Sequence, residues 1–228
     1  MLTLVLTRHG LTTRSDPEQH LGQTVDVPLS DDGRVQAIAL AERLAPIAFE
    51  RIVSSPMLRA RQTAEAIGEV PCATPRPAIE TDRRLLEMDY GAWEGLTYEQ
   101  IDANDAVSRA AWEADPATIR CPGGESGDDV ARRARSFLDE LIASDLGQDD
   151  PASPRERPVL VVAHSSLNRV LLCVALRIPI AQYRARIVQS QVNLTALTWP
   201  HGATVDQARL LLLNDVSHVR RPPQVPWE

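Results

Sequence analysis

Leu4-Val5-Leu6-Thr7-Arg8-His9-Gly10 is an apolar run that stops at a cation, an imidazole and a glycine. A short N-terminal run rich in Leu and Val reads as a buried strand. Its polar residues then stand at the strand's C-terminal end, where open α/β sheets hold their ligands. A second run, Val159-Leu160-Val161-Val162-Ala163, ends the same way at His164-Ser165-Ser166. Two histidines delivered by two strand ends predict one shared site, although either alone reads more simply as a hydrogen-bonded loop residue.

Working outward, Leu11 to Leu29 lacks periodicity and reads as a long loop, the kind that often carries function. Ser30-Asp31-Asp32 then supplies a helix start, with a capping oxygen and negative charge at the positive end of the dipole. Arg51-Ile52-Val53-Ser54 is a second strand, and strand, helix, strand in that order implies a right-handed parallel crossover. In Ser54-Ser55-Pro56-Met57-Leu58-Arg59, Ser55 is the expected N-cap and Pro56 the first helical residue. Arg59 then lies in a first turn suited to phosphate, or is a surface arginine on an amphipathic helix.

Leu86 to Gly95 combines acids, aromatics and turn glycines, and two short helices follow at Tyr98–Asn104 and Ala106–Ala114. Pro122-Gly123-Gly124-Glu125-Ser126 breaks the chain before a long helix from about Asp128 to Ala143. Val192–Trp199 and Ala208–Asn214 read as a terminal hairpin. The expectation is a single domain over residues 1–228, with a helical cap insertion at about 88–126, a surface connection at 147–158 and a proline-rich tail at 219–228.

The formal charge of −7 makes nucleic acid and anionic membrane unexpected partners, so any anion must be caught locally. All 24 basic residues are arginine, which excludes a lysine Schiff base and a Walker-type phosphate lysine. Cys72, Cys121 and Cys173 are too few and too scattered for a disulfide framework or a structural zinc site. No apolar run has the length of a signal peptide or membrane span, and a cytoplasmic location is expected.

If Arg8, His9, Arg59 and His164 converge, two guanidinium forks match the oxygens of a phosphate and an imidazole between them can attack phosphorus. Phosphoryl transfer asks mainly for in-line positioning and charge stabilisation, which these groups supply without a metal. The leaving alcohol needs a proton. Glu87 is the best donor, because a bound phosphate dianion disfavours the charged form of a facing carboxyl. Asp89 and Glu94 are its rivals on the same loop. A metal hydrolase built on His9 and His164 would have arginines where further ligands are needed, so no metal and no cofactor are expected.

Five stretches in order, Leu6-Thr7-Arg8-His9-Gly10, Ser54 to Ala64, Leu86-Glu87 through Gly95, Pro122 to Ser126 and Val161-Val162-Ala163-His164, resemble the motifs of the histidine phosphatase superfamily, the phosphoglycerate mutase-like family. The resemblance spans nearly the whole chain. It implies an α/β fold, a three-layer α/β/α sandwich with a mostly parallel mixed sheet and a small helical insertion. It also implies His9 as the nucleophile that becomes phosphohistidine, Glu87 as proton donor and His164, Arg8 and Arg59 as the phosphate pocket. Ser15, Gln23 and Ser165 are carried over as further phosphate contacts, at places where the chain departs from the family's usual residues. Leu11 likewise replaces a common glutamate.

Within that family the sequence resembles the phosphatases more than the mutases, whose substrate-binding lysine has no counterpart here. The expected function is hydrolysis of a small phosphate monoester, by a broad-specificity or an α-ribazole-type phosphatase. A phosphoglycerate mutase and a catalytically silent phosphate-ester binding module are the alternatives. Tyr90, with Trp93 and Trp112, forms either an apolar wall against substrate or the core of the insertion. A homodimer is admitted without any residue singled out for it.

Overall fold

The computed structural model describes residues 1–72, 74–146 and 157–219. The tail at 220–228 and most of the connection at 147–158 lie outside them. One six-stranded sheet organises the chain, in the order β3-β2-β4-β1-β5-β6. Its strands are β1 (Leu2–Arg8), β2 (Arg51–Ser54), β3 (Ile79–Thr81), β4 (Arg157–Ala163), β5 (Leu194–Trp199) and β6 (Arg209–Asp215). β1, β2, β3 and β4 run parallel, while β5 and β6 form the expected antiparallel hairpin. The sheet is therefore mixed and mostly parallel.

Alternation along the strands assigns side chains to two cores, one on each face. Leu4, Leu6, Val159 and Val161 join one core, with α4 (Gly127–Leu146) and α5 (Ser165–Leu176) packed over it. Val5, Leu160 and Val162 join the other, under α1 (Asp31–Leu44) and α2 (Leu58–Glu69). Helices on both faces give the three layers expected. Each of these buried Leu and Val side chains contributes roughly 1.5–3 kcal/mol of transfer free energy.

α1 starts where the sequence placed it, with Ser30 Oγ accepting from Gly33 N at 3.1 Å. α2 does not. It begins at Leu58, two residues after Pro56, with Met57 at the N-cap position. Ser55 Oγ accepts from Met57 N at 3.4 Å and lies 2.7 Å from His164 Nε2, and the carboxylate that receives Leu58 N at 2.7 Å is Asp26, from the long loop. Between 88 and 126 the chain forms a 3-10 turn at Gly91–Trp93 and α3 (Tyr98–Ala114), in which a non-helical Asp105 separates the two short helices expected. Thr97 and Gln100 close a reciprocal capping box at its start. A short α6 (Tyr183–Arg186) precedes β5. No helix among the described residues is long and apolar enough to cross a membrane.

Candidate active site

Register brings the two histidines together. In the parallel β1–β4 pair Arg8 lies opposite Ala163, so His9 and His164 leave adjacent strands side by side. Their ring centroids are 5.3 Å apart, edge to face. His9 N also donates to Ala163 O at 3.0 Å, extending the ladder by one bond. Gly10 follows because the chain turns tightly against α1: a Cβ there would stand 2.6 Å from Gly33 O.

His9 Nδ1 lies 2.7 Å from Gly10 O. A carbonyl only accepts, so Nδ1 carries the proton and Nε2 keeps its lone pair. Burial, then Arg59 and Arg8, hold the His9 pKa well below its ordinary value, which keeps the ring neutral. His164 is fully buried, and its pKa is likewise lowered by burial, Arg59 and His9. Its Nε2 is 2.7 Å from Ser55 Oγ, while its Nδ1 has no hydrogen-bond partner among the described residues.

Arg8 reaches over the strand ends and donates to Gln189 O at 3.1 Å and Glu18 Oε1 at 3.3 Å. Arg59 is fully buried, and its guanidinium donates to the carbonyls of Leu21, Gly22 and Val25. Nε of each arginine is buried and has no hydrogen-bond partner among the described residues, a donor still to be satisfied. Charge this deep is costly unless compensated; Glu87, and then Asp26 at 4.0 Å, supply the opposing charge. The surface reading of Arg59 is thereby removed.

Glu87 closes the far side. Its carboxylate accepts from Met88 N at 2.8 Å and from Ser166 N and Leu167 N, at the start of α5, at 3.1 and 3.0 Å. That is the anion position of a helix N-terminus. The rivals are employed otherwise. Glu94 binds the amides of Gln23, Thr24 and Val25 and the Thr24 hydroxyl. Burial tends to raise its pKa, but these bonds outweigh burial and leave it lowered. Asp89 caps Gly91 N at 2.8 Å.

A cavity of about 100 Å³ opens over these groups, lined among others by Arg8, His9, Ser15, Glu87, Tyr90 and Ser165. Arg59 and His164 lie beneath it, fully buried. Ser15 lines the cavity while its hydroxyl braces Thr12. Gln23 is not among the lining residues. Its side-chain amide turns to Glu87 O at 2.9 Å and Glu125 Oε2 at 3.3 Å, so it braces the Glu87 backbone rather than facing the cavity. Tyr90 packs in the core and is also among the residues that line the cavity, with its hydroxyl 2.7 Å from Ser166 Oγ. Trp93 and Trp112 are core.

Three supports were not singled out for the site in the sequence. Ser55 orients His164. Arg133, from α4, donates to the carbonyls of Arg84, Leu86 and Glu87 and pairs with Glu125 at 2.9 Å. Gln189 is buried in a net with Asn168, Asn193 and Thr195, and its carbonyl receives Arg8. The polar run Gln189-Ser190-Gln191 just before a buried strand was the available signal for the last.

Glucosyl-3-phosphoglycerate phosphatase of Mycobacterium tuberculosis is 38% identical over 211 residues, covering 90% of each chain. The native structure of the mycobacterial enzyme of that name superposes with a TM-score of 0.78 at 36% identity, over 93% of this chain and 98% of the other. An α-ribazole phosphatase from Shigella flexneri, at 22% identity and a TM-score of 0.77 over 93% and 96% of the two chains, shares the fold. Residues 4–215 match the profile of the histidine phosphatase superfamily (branch 1), and the chain belongs to that superfamily.

Proposed function

We propose that the chain hydrolyses phosphate monoesters of small metabolites through a phosphohistidine formed on His9. The observation that carries the reading is the His9 ring itself: Nδ1 is pinned to Gly10 O, burial keeps the ring neutral, and the arginines that add to this are the countercharges a phosphoryl group needs. Nε2 attacks phosphorus as the bond to the ester oxygen breaks, and Glu87 protonates the departing alcohol. Water then attacks the phosphohistidine, giving its proton to Glu87, and phosphate leaves with the P–N bond broken. Arg8, Arg59 and His164 stabilise charge on the equatorial oxygens in both steps. Ser15 and Ser165 line the same space, and residues 88–126 cap it through Tyr90 and Tyr98.

The mycobacterial relatives are named for glucosyl-3-phosphoglycerate, and that ester belongs in the test panel beside α-ribazole phosphate, phosphoserine, sugar phosphates and nucleotides. Wild-type protein is expected to hydrolyse several of them in the presence of EDTA and to yield acid-labile phosphoprotein on rapid quenching. His9→Ala is expected to abolish both signals. Phosphate trapped on a serine, or activity that persists in His9→Ala, overturns the reading. Net transfer of the phosphoryl group between hydroxyls without release of phosphate favours the mutase alternative.

The three cysteines are free thiols, which supports a cytoplasmic location. β6 is an edge strand with Leu210, Leu211, Leu212 and Leu213 exposed along it. An edge of this kind is self-complementary about a twofold axis, and pairing with a second copy covers its leucines. A monomeric mass by light scattering removes the dimer.

A further inference from the structure

Pro122-Gly123-Gly124-Glu125-Ser126 has no part in the chemistry proposed for His9, yet it is built against the segment that carries Glu87. Gly124 lets two backbones touch, since a Cβ there would stand 2.3 Å from Asp89 O. The close approach brings Glu125 to the chain just after Glu87. Glu125 N donates to Asp89 O at 2.8 Å, and Asp89 N donates back to Glu125 Oε2 at 3.0 Å.

Arg133 meets the same carboxylate from α4. An arginine has five N–H groups, and here every one is engaged. Nε and one Nη2 hydrogen go to Glu125, at 3.0 and 2.9 Å. The Nη1 hydrogens go to Arg84 O and Leu86 O, at 2.8 and 2.6 Å, and the other Nη2 hydrogen goes to Glu87 O at 3.0 Å. The chain from Arg84 to Glu87 therefore curls around one guanidinium plane. No donor is left for a ligand, and neither Arg133 nor Glu125 is among the residues that line the cavity over His9. Their side chains are 16% and 20% exposed, so water and salt screen this pair less than a surface one.

Glu87 is thus held at both ends. Its carboxylate is tied to Ser166 N and Leu167 N of α5, and the main chain on either side of it is tied to Arg133 of α4 and to Glu125. We propose that Arg133 and Glu125 are positioning residues for Glu87, fixing its backbone so that the carboxyl meets the leaving oxygen of the ester. The role rests on the reading of Glu87 as the proton donor. A general acid displaced by about 1 Å loses rate steeply. Arg8 and Arg59, which attract the phosphoryl group, stand on other elements and stay in place. Loosening the pair therefore acts on kcat for poor leaving groups and leaves KM alone.

Two near-isosteric variants of the full chain, Glu125→Gln and Arg133→Lys, test this. Gln keeps an acceptor for Asp89 N without the charge; Lys keeps the charge but cannot serve the planar set of acceptors. Each is expected to lower kcat about tenfold on glycerol 3-phosphate, an alkyl ester, and less than about twofold on p-nitrophenyl phosphate, with KM unchanged on both. Combined with Glu87→Gln, either is expected to add no further loss on the alkyl ester, because the proton it helps to place is already missing. Amide exchange of the ligand-free protein reads the same role without turnover. Ser166 N and Leu167 N bind the Glu87 carboxylate and neither substituted side chain, and they are expected to exchange about tenfold faster in both variants while the amides of β1 keep their wild-type rates. Equal losses on the two esters, additive losses in the double variants, or unchanged exchange at Ser166 and Leu167 overturns the role. Absence of hydrolysis, or a Glu87→Gln variant that slows both esters alike, defeats the reading of Glu87 as the acid, and the exchange rates then decide whether the pair positions Glu87.

Discussion

At the scale of single residues the proposed nucleophile and the proposed acid differ in their hydrogen bonds. His9 has one nitrogen occupied by a carbonyl, and the other keeps the lone pair that the proposed attack needs. Glu87 is fixed by three backbone amides from two segments, so it stays in place as the leaving group changes. Glu87→Gln keeps the size and one acceptor but cannot deliver the proton. Its effect is therefore expected to follow the leaving group: a loss of order 10²-fold on an alkyl phosphate and a much smaller one on p-nitrophenyl phosphate. Equal losses on both substrates count against Glu87 as the acid. Ser55 is the residue to test for orientation. Ser55→Ala removes the contact that sets the His164 ring and is expected to lower kcat roughly tenfold with little change in KM, since the arginines that attract the ester remain. A change in KM alone would assign Ser55 to binding instead.

At the scale of elements, the loop from Leu11 to Leu29 is held from both sides. Arg59 takes the carbonyls of Leu21, Gly22 and Val25, while Glu94 takes the amides of Gln23, Thr24 and Val25. The segment has no regular structure of its own, yet a cation and an anion satisfy its backbone in place of a ladder. Gly22 belongs to this clamp, because a Cβ there would run into the Glu94 carboxylate. Glu94→Ala is expected to cost roughly 1.5–3 kcal/mol of local stability. The loop should then exchange amide hydrogens and cleave under limited proteolysis faster, and KM should rise as the Arg59 cage loosens. Unchanged exchange at residues 22–26 rejects the clamp.

Here the boundary between what was legible and what was not becomes physical. Strand ends bearing His9 and His164 were readable, because apolar runs fix the strands and the parallel register does the rest. The clamp joins Arg59 and Glu94 to backbone atoms 34 to 38 and 69 to 71 residues away, and a backbone carbonyl or amide has no letter in the sequence. The start of α2 was misplaced for a related reason: its cap is Asp26, remote in sequence, and the local candidate Ser55 serves His164. Gln23 turned to Glu87 and Glu125 for the same kind of cause, a partner that only the fold supplies.

At the scale of the whole molecule, a chain of net charge −7 gathers arginines over one end of its sheet and buries three histidines beside them. His20 sits between Tyr90 and Tyr98, at ring distances of 4.7 and 4.6 Å. Burial, then Arg184, lowers its pKa to about 4, with Arg109 adding to the fall and Glu18 opposing it. His9 and His164 are lowered by burial and their arginines. In the unfolded chain all three titrate near 6.5. Below that pH the unfolded state takes up protons that the folded state refuses, so stability rises with pH in this window and falls as the solution is acidified. Each histidine contributes roughly 1.4 kcal/mol per pH unit while the difference lasts, and the His20 share levels off near pH 4. Urea midpoints of the ligand-free protein are therefore expected to be level above about pH 7.5 and to drop steadily toward pH 5. His20→Phe keeps the ring packing and removes one titrating group, and should flatten the slope by about one histidine's share. An unchanged slope in that variant would mean that His20 is protonated as readily in the folded protein as outside it.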